Sequence, residues 1–158
     1  MIFEDITEIM AQSRKTLAWM GLDLGTKTIG VAVSDRLLSS ATPLRTVRRT
    51  KFSADAQALL DVITNRDIGA IIIGLPRNMD GSEGPRCQST RAFARNISVL
   101  TDLPIGYWDE RLSTVAAERA LLEADTSRKR RAEVIDHVAA GYILQGALDR
   151  ARHIRTVG

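Results

Sequence analysis

The chain contains a single cysteine, Cys87, among its 158 residues. It therefore cannot form an intramolecular disulfide, and it lacks the cysteine clusters that hold structural zinc. No stretch approaches the run of about 18 apolar residues that a membrane-spanning helix needs. The first residues are acidic, unlike the basic start of a secretory signal. From these absences we expect a cytoplasmic protein that does not bind membranes.

Aromatic residues are also scarce, at 4% of the chain, which gives little support to recognition of bases by stacking on exposed rings. The net charge is only +3, but Glu4, Asp5 and Glu8 place three negative charges in the first ten residues, so the rest carries +6. A basic body suits a polyanion such as nucleic acid, although a solvated basic surface explains the charge equally well.

The chain is the size of one domain, with 44% apolar and 26% charged residues. Residues 1–15 are predicted to form an N-terminal extension, and residues 16–158 a single domain. Apolar, β-branched runs predict five strands, which are TLAWMGLDLG, TIGVAVSD, ATPLRTV, AIIIGLP and PIGYWDE. Helical spacing predicts four helices, which begin near Ser53, Pro85, Ser113 and residue 132, and Ser53 is the predicted N-cap of the first.

The order of these elements is three strands, then a helix, a strand, a helix, a strand and two helices. The short polar gaps between the first three strands predict that they are antiparallel neighbours. This order predicts an α/β protein with a mixed five-stranded sheet and helices on both faces. It is the topology of the ribonuclease H-like fold. Topology alone does not determine function.

Acidic residues occupy positions where a packed protein would place apolar ones. Asp23 interrupts the first predicted strand, and burial of an unpaired carboxylate costs several kcal/mol. A salt bridge to Lys27 or capping of backbone amides would compensate the charge, and so would a metal ion. Asp109 and Glu110 end the last strand, and Asp136 lies on a helix face with alanines.

Clustered carboxylates are the ligands that Mg²⁺ and Mn²⁺ prefer. Two such ions about 4 Å apart activate water and stabilise the leaving oxygen in phosphodiester hydrolysis. The acids at the ends of these elements therefore favour a metal-dependent nuclease. Alternation along the strand points Asp109 and Glu110 to opposite faces, and the sequence leaves open which of them faces the metal.

Four motifs carry a resemblance to a known family: GLDLGTKTIGVAVSD, IGLPRNMDGSEGPR, DERLST and VIDHVAAGYILQ. Together, over about residues 16–151, they resemble the YqgF family, also called RuvX, of Holliday junction resolvase-like proteins and pre-16S rRNA nucleases. The resemblance implies a ribonuclease H-like fold related to the RuvC resolvases, and a role in maturing the 5′ end of pre-16S rRNA. It implies Asp23, Glu110 and Asp136 as catalytic acids and metal ligands. We keep Asp109 as the alternative to Glu110, because strand alternation leaves open which of the two faces the metal.

Basic and polar residues near these acids are candidates for binding a nucleic-acid backbone through phosphates and shape. The candidates are Lys27, Arg77, Asn78, Arg86, Arg111, Lys129, Arg130 and Arg131. A flexible loop at residues 77–86 and a solvated turn at residues 127–131 are the structural alternatives. We expect structured RNA, or branched DNA, as the partner, and a monomer or a homodimer.

Two other function classes fit parts of the sequence. DLGTKT resembles the first phosphate loop of the actin, sugar kinase and chaperone ATPase superfamily, but those proteins clasp nucleotide between two domains and this chain supplies one. A nucleic-acid scaffold without catalysis would have the fold and lack the acids, whereas all three acids are present here. Within the nucleases, rRNA processing and junction cleavage remain open, because the sequence does not reveal contacts with a 2′-OH.

Overall fold

A computed structural model describes residues 1–12, 17–112 and 128–157, with the side chains of residues 128–136 and 155–157 outside that description. The helix predicted to begin at Ser113 lies outside the described residues. None of the described helices is both long and apolar enough to cross a membrane.

The strands form one mixed sheet. Their bounds are β1 Ile2–Phe3, β2 Ala18–Leu24, β3 Thr28–Ser34, β4 Ala41–Arg48, β5 Ile68–Leu75 and β6 Ile105–Asp109. The order across the sheet is β1-β6-β5-β2-β3-β4. The first four strands in this order are parallel, while β3 runs antiparallel to both β2 and β4. The predicted antiparallel neighbours at the start of the domain are therefore confirmed.

The described sheet has six strands rather than the predicted five. The additional strand is β1, which pairs Ile2 with Ile105 and Phe3 with Gly106 of β6. Two residues are too few to show the alternating pattern by which a strand is recognised in a sequence. The N-terminal segment thus contributes an edge strand to the sheet.

Within the part of the chain that the structure describes, four helices cover the sheet. They are α1 Ile6–Gln12, α2 Phe52–Asn65, α3 Pro85–Ser98 and α4 Arg128–Val157. Residues of α2 and α3 join the core on one face, and residues of α1 and α4 join the core on the other. Strand β5 lies between the two cores and is buried along its whole length, as its uniformly apolar sequence predicts.

Two helix starts differ from the prediction. Lys51 occupies the N-cap position of α2, so Ser53 lies within the first turn instead of capping it. Helix α4 begins at Arg128, and the basic residues predicted to form a solvated turn are part of that helix. Lysine and arginine are good helix formers, so they extend a helix that already packs against the sheet.

Glycine allows α4 to approach the sheet closely. A Cβ on Gly21 of β2 would lie 2.6 Å from the Cβ of Leu144 and 3.1 Å from the carbonyl oxygen of Ala140. Because side chains alternate along a strand, Asp23 lies on the same α4 side of the sheet as Gly21.

Candidate active site

Asp23 is the last residue but one of β2, and only 4% of its surface is exposed. The carboxyl ends of the parallel strands β2, β5 and β6 meet at one edge of the sheet, where ligands commonly bind in open α/β proteins. The buried carboxylate on the α4 side of this edge is the first component of the candidate site.

Glu110 reaches the same side of the sheet. It opens a short 3₁₀ helix, Glu110–Leu112, directly after β6. A Cβ on Gly74 would lie 3.4 Å from the carboxyl carbon of Glu110 and 2.5 Å from Cδ1 of Ile143 on α4. Leu22 pairs with Ile73, so Asp23 and Gly74 occupy the next positions of the two neighbouring strands. The Asp23 and Glu110 carboxylates therefore flank one site on the α4 side.

Asp109 belongs to the opposite side of the sheet. It pairs with Leu75, which lies in the core beneath α2 and α3. Its carboxylate accepts hydrogen bonds from Nη2 of Arg111 at 2.7 Å and from the Arg111 amide at 3.0 Å. The hydrogen bonds from Arg111 hold the pKa of Asp109 below its ordinary value, against an opposing effect of burial. Geometry therefore favours Glu110 over Asp109 as the acid that faces Asp23.

Position 136 falls on the stripe of α4 that meets the sheet. It precedes Ala140 by four residues and Ile143 by seven, and these two residues lie against β2 and β5. The neighbouring residue, His137, has its Nδ1 2.9 Å from Oγ1 of Thr46. The Asp136 side chain itself lies outside the described residues, and among the described ones no three acidic, histidine or cysteine side chains come together.

A cleft of about 350 Å³ opens beside Glu110. Four of the predicted nucleic-acid contacts line it, and these are Arg77, Asn78, Arg86 and Arg111. Three arginines beside a carboxylate make this cleft suitable for phosphate groups. Lys27 is exposed in the turn between β2 and β3, and it does not line this cleft. The side chains of Lys129, Arg130 and Arg131 lie outside the described residues.

The loop after β5 forms an ordered turn. The Asn78 amide donates to the carbonyl of Ser82 at 2.9 Å, and the Gly81 amide donates to the carbonyl of Asn78 at 2.8 Å. Gly81 has a φ of 89°, a left-handed conformation that glycine adopts without strain. The Arg111 guanidinium packs against this turn. A Cβ added at Gly81 would lie 3.2 Å from its Nη1.

Arg77 also faces acidic residues on the far side of this loop. Its Nη2 lies 3.5 Å from Oε2 of Glu83 and 3.9 Å from Oε1 of Glu4 in the N-terminal segment. Arg91 donates to both acids, at 2.7 Å to Oε1 of Glu83 and 2.8 Å to Oε1 of Glu4. These two carboxylates raise the pKa of Arg91. The loop that lines the cleft is thus tied to the N-terminal segment.

Arg49, which is not among the residues predicted from the sequence, supports the turn after Asp23. Its Nη1 donates to the carbonyl of Gly25 at 2.6 Å, its amide donates to the carbonyl of Lys27 at 2.8 Å, and its guanidinium lies 5.6 Å from the ring centroid of Phe93. The available signal was the basic run that ends the third predicted strand.

Burial of an acid does not by itself identify the site. Asp55 is also 4% exposed, yet it lies in α2, where its Oδ1 accepts from the Thr50 amide at 3.0 Å and its Oδ2 lies 4.0 Å from Nε of Arg49. What distinguishes Asp23 is its place at the carboxyl edge of the parallel strands, beside a second carboxylate. Such oxygen donors fit a hard divalent cation.

Known proteins are similar to this chain in sequence and in architecture. A model of the family described as "RuvX: Holliday junction resolvase" matches residues 17–150. The chain belongs to the RuvX family. A protein of Ruegeria sp. (strain TM1040), named "Putative pre-16S rRNA nuclease", is 71% identical over 156 residues, which are 99% of each chain. A protein of Roseobacter denitrificans with the same name is 70% identical over 157 residues, 98% of this chain and 96% of that one.

Among solved structures, "T. thermophilus RuvC in complex with Holliday junction substrate" superimposes on this RuvX-family chain with a TM-score of 0.52. It is 15% identical, and the match covers 89% of this chain and 96% of that one. At this identity the likeness concerns the fold alone. The predicted ribonuclease H-like fold is confirmed, as is the predicted family.

Proposed function

We propose that this RuvX-family protein is a nuclease that hydrolyses phosphodiester bonds to mature the 5′ end of pre-16S rRNA in the cytoplasm. The observation that carries the proposal is the buried carboxylate of Asp23 beside the Glu110 carboxyl group, at the carboxyl edge of the parallel strands. The names of the relatives in Ruegeria and Roseobacter support pre-16S rRNA as the substrate.

Asp23, Glu110 and Asp136 would hold the divalent metal, Mg²⁺ or Mn²⁺. Such a metal supplies an activated water and stabilisation of the leaving oxygen when it is bound. The protein's own contribution is to fix the carboxylates on rigid elements, because β2 and the packing of Gly74 against Ile143 leave little freedom of position.

Arg77, Asn78, Arg86 and Arg111 would hold phosphates of the substrate in the cleft beside Glu110. Lys27 and the basic first turn of α4, with Lys129, Arg130 and Arg131, would add to the attraction of the backbone. Contacts of this kind neutralise phosphate charge and read the shape of the nucleic acid, with no information about base sequence.

The test compares wild type, Asp23→Asn and Asp61→Asn on a 5′-extended pre-16S rRNA fragment and on a four-way DNA junction, with Mg²⁺, Mn²⁺ or chelator. Asp61 lies on α2 and its Oδ1 accepts from Nε2 of Gln57, so Asp61→Asn repeats the charge change away from the site. We expect metal-dependent cutting of the RNA by wild type and by Asp61→Asn, and none by Asp23→Asn.

The family description gives a specific reason to include the junction. Cutting of the junction in place of the RNA would identify a resolvase, and it would require a two-fold dimer with two active sites, which a mass measurement detects. Binding of both substrates without cutting of either would point to a nucleic-acid scaffold and remove support for a metal-dependent nuclease.

A further inference from the structure

A groove of about 390 Å³ lies on the α4 side of β3 and β4, away from the cleft beside Glu110. Its lining residues are Thr28, Thr46, Arg48 and His137. Thr28 pairs directly with Arg48, and Gly30 pairs with Thr46. Residues opposite each other in an antiparallel ladder point to the same face, so all of these strand positions face α4.

The chemistry of the groove suits an anion. The Arg48 guanidinium is a charged hydrogen-bond donor, polar hydroxyl and imidazole groups lie beside it, and none of the described residues that line the groove is acidic. The contact of 2.9 Å between Oγ1 of Thr46 and Nδ1 of His137 fixes the orientation of the imidazole ring. Arg48 is exposed at the end of β4, where a ligand in solvent has access to it.

The groove lies level with the candidate catalytic acid. Asp23 pairs with Gly30 of β3, and Gly30 pairs with Thr46 of β4. The three residues therefore form one row across the sheet. Two strand spacings separate Asp23 from Thr46, about 10 Å between backbones. Gly30 stands between them without a side chain, so no side chain of β3 interrupts the row.

We propose that this groove binds a phosphate of the nucleic-acid backbone, at a position along the strand next to the one that reaches Asp23. The proposal rests on the proposed nuclease function and adds a second contact surface to it. The cleft beside Glu110 lies toward β5 and β6 and the groove lies toward β4, so a strand that occupies both would pass across Asp23. Recognition here would depend on phosphate charge and not on base sequence.

Strand β4 offers a matched pair of variants, Arg48→Gln and Arg45→Gln. Arg45 is exposed and pairs with Val31, whose side chain lies in the core beneath α2 and α3, so Arg45 faces away from the groove. Both variants remove one positive charge from the same strand. Fluorescence anisotropy with the labelled 5′-extended pre-16S rRNA fragment, in chelator and over a range of salt concentrations, measures binding without cleavage.

We expect Arg48→Gln to weaken binding about tenfold and to lower the slope of log affinity against log salt by about 1. Arg45→Gln should bind like wild type. Equal losses in the two variants would reveal a general charge effect and overturn the proposal, as would an unchanged affinity in Arg48→Gln or no binding by the wild type.

Cleavage assays on the same proteins separate this proposal from the nuclease function. Wild type that binds through Arg48 but cuts nothing with Mg²⁺ or Mn²⁺ would refute the nuclease and leave the groove supported. Wild type that cuts the RNA, with Arg48→Gln binding normally, would refute the groove and leave the nuclease supported.

Discussion

The carboxyl carbon of Glu110 lies 3.4 Å from the place that a Cβ on Gly74 would occupy. A single missing methyl group on β5 thus makes room for an acid from the turn after β6. The same missing methyl group admits Ile143 of α4. Packing of Ile143 and placement of the Glu110 carboxylate therefore both depend on Gly74.

Gly74→Ala should reduce both stability and activity. The added methyl would lie 2.5 Å from Cδ1 of Ile143, and overpacking of this kind costs about 1–3 kcal/mol. It would also displace Glu110, so nuclease activity should fall further than the unfolded fraction explains. Gly21→Ala is the control, because its methyl would meet Leu144 at 2.6 Å without approaching Glu110. Urea unfolding and cleavage rates of folded protein give the comparison, and equal specific activities in the two variants would contradict the prediction.

Glu110→Gln and Asp109→Asn should differ in their effect on cleavage. Glu110→Gln removes the charge that faces Asp23. We expect the cleavage rate to fall about a hundredfold or more, because a metal held by such carboxylates stabilises the transition state by several kcal/mol. Asp109→Asn removes the charge of a carboxylate that points to the other face of the sheet, where it accepts from Arg111, and should change the rate far less. The opposite order would make Asp109 the acid of the site.

Divalent metal should stabilise the wild type against unfolding. A ligand that binds only the folded state adds about 2.7 kcal/mol at a concentration of 100 times its Kd. Asp23→Asn should lose this gain, because a neutral amide binds a hard divalent cation more weakly than a carboxylate does. Thermal unfolding with and without Mg²⁺ measures both effects. An equal gain in Asp23→Asn would place the metal elsewhere.

Asp109 should stabilise the folded protein near neutral pH and lose this effect in strong acid. Arg111 lowers the pKa of Asp109 in the folded state below 3.8, so the ionised carboxylate stabilises the fold above that value. The contribution disappears as the pH falls from about 3.8 through the folded pKa. The free energy of unfolding of wild type should therefore exceed that of Arg111→Gln by more at about pH 6 than at about pH 2.5. A difference that does not change with pH would argue against the pairing.

Arg91 should couple the N-terminal segment to the loop after β5. Its contacts with Glu4 and Glu83 form a partly exposed network, for which a double-mutant cycle of Arg91→Gln and Glu4→Gln should give about 0.5–1 kcal/mol. The coupling should weaken at high salt. The exposed pair of Arg36 and Asp67 provides the comparison, with an expected coupling near zero. A negligible coupling in the Arg91 cycle would contradict the prediction.

The sequence by itself determined the elements that depend on local pattern. Alternation and short gaps predicted the antiparallel β2, β3 and β4, and the uniformly apolar run predicted the doubly covered β5. Asp23 was identifiable because a charge within a buried strand is costly at any position in the fold. The four motifs placed the chain in the RuvX family.

Only the tertiary structure decided which acid faces which side. Asp109 ends β6, whereas Glu110 begins a 3₁₀ turn that carries its carboxylate over Gly74, and this change of backbone direction is not encoded in the strand pattern. The strand formed by Ile2 and Phe3 likewise exists only because the edge of β6 is available for pairing. Contacts between residues distant in sequence set these features, since each depends on partners that folding alone brings together.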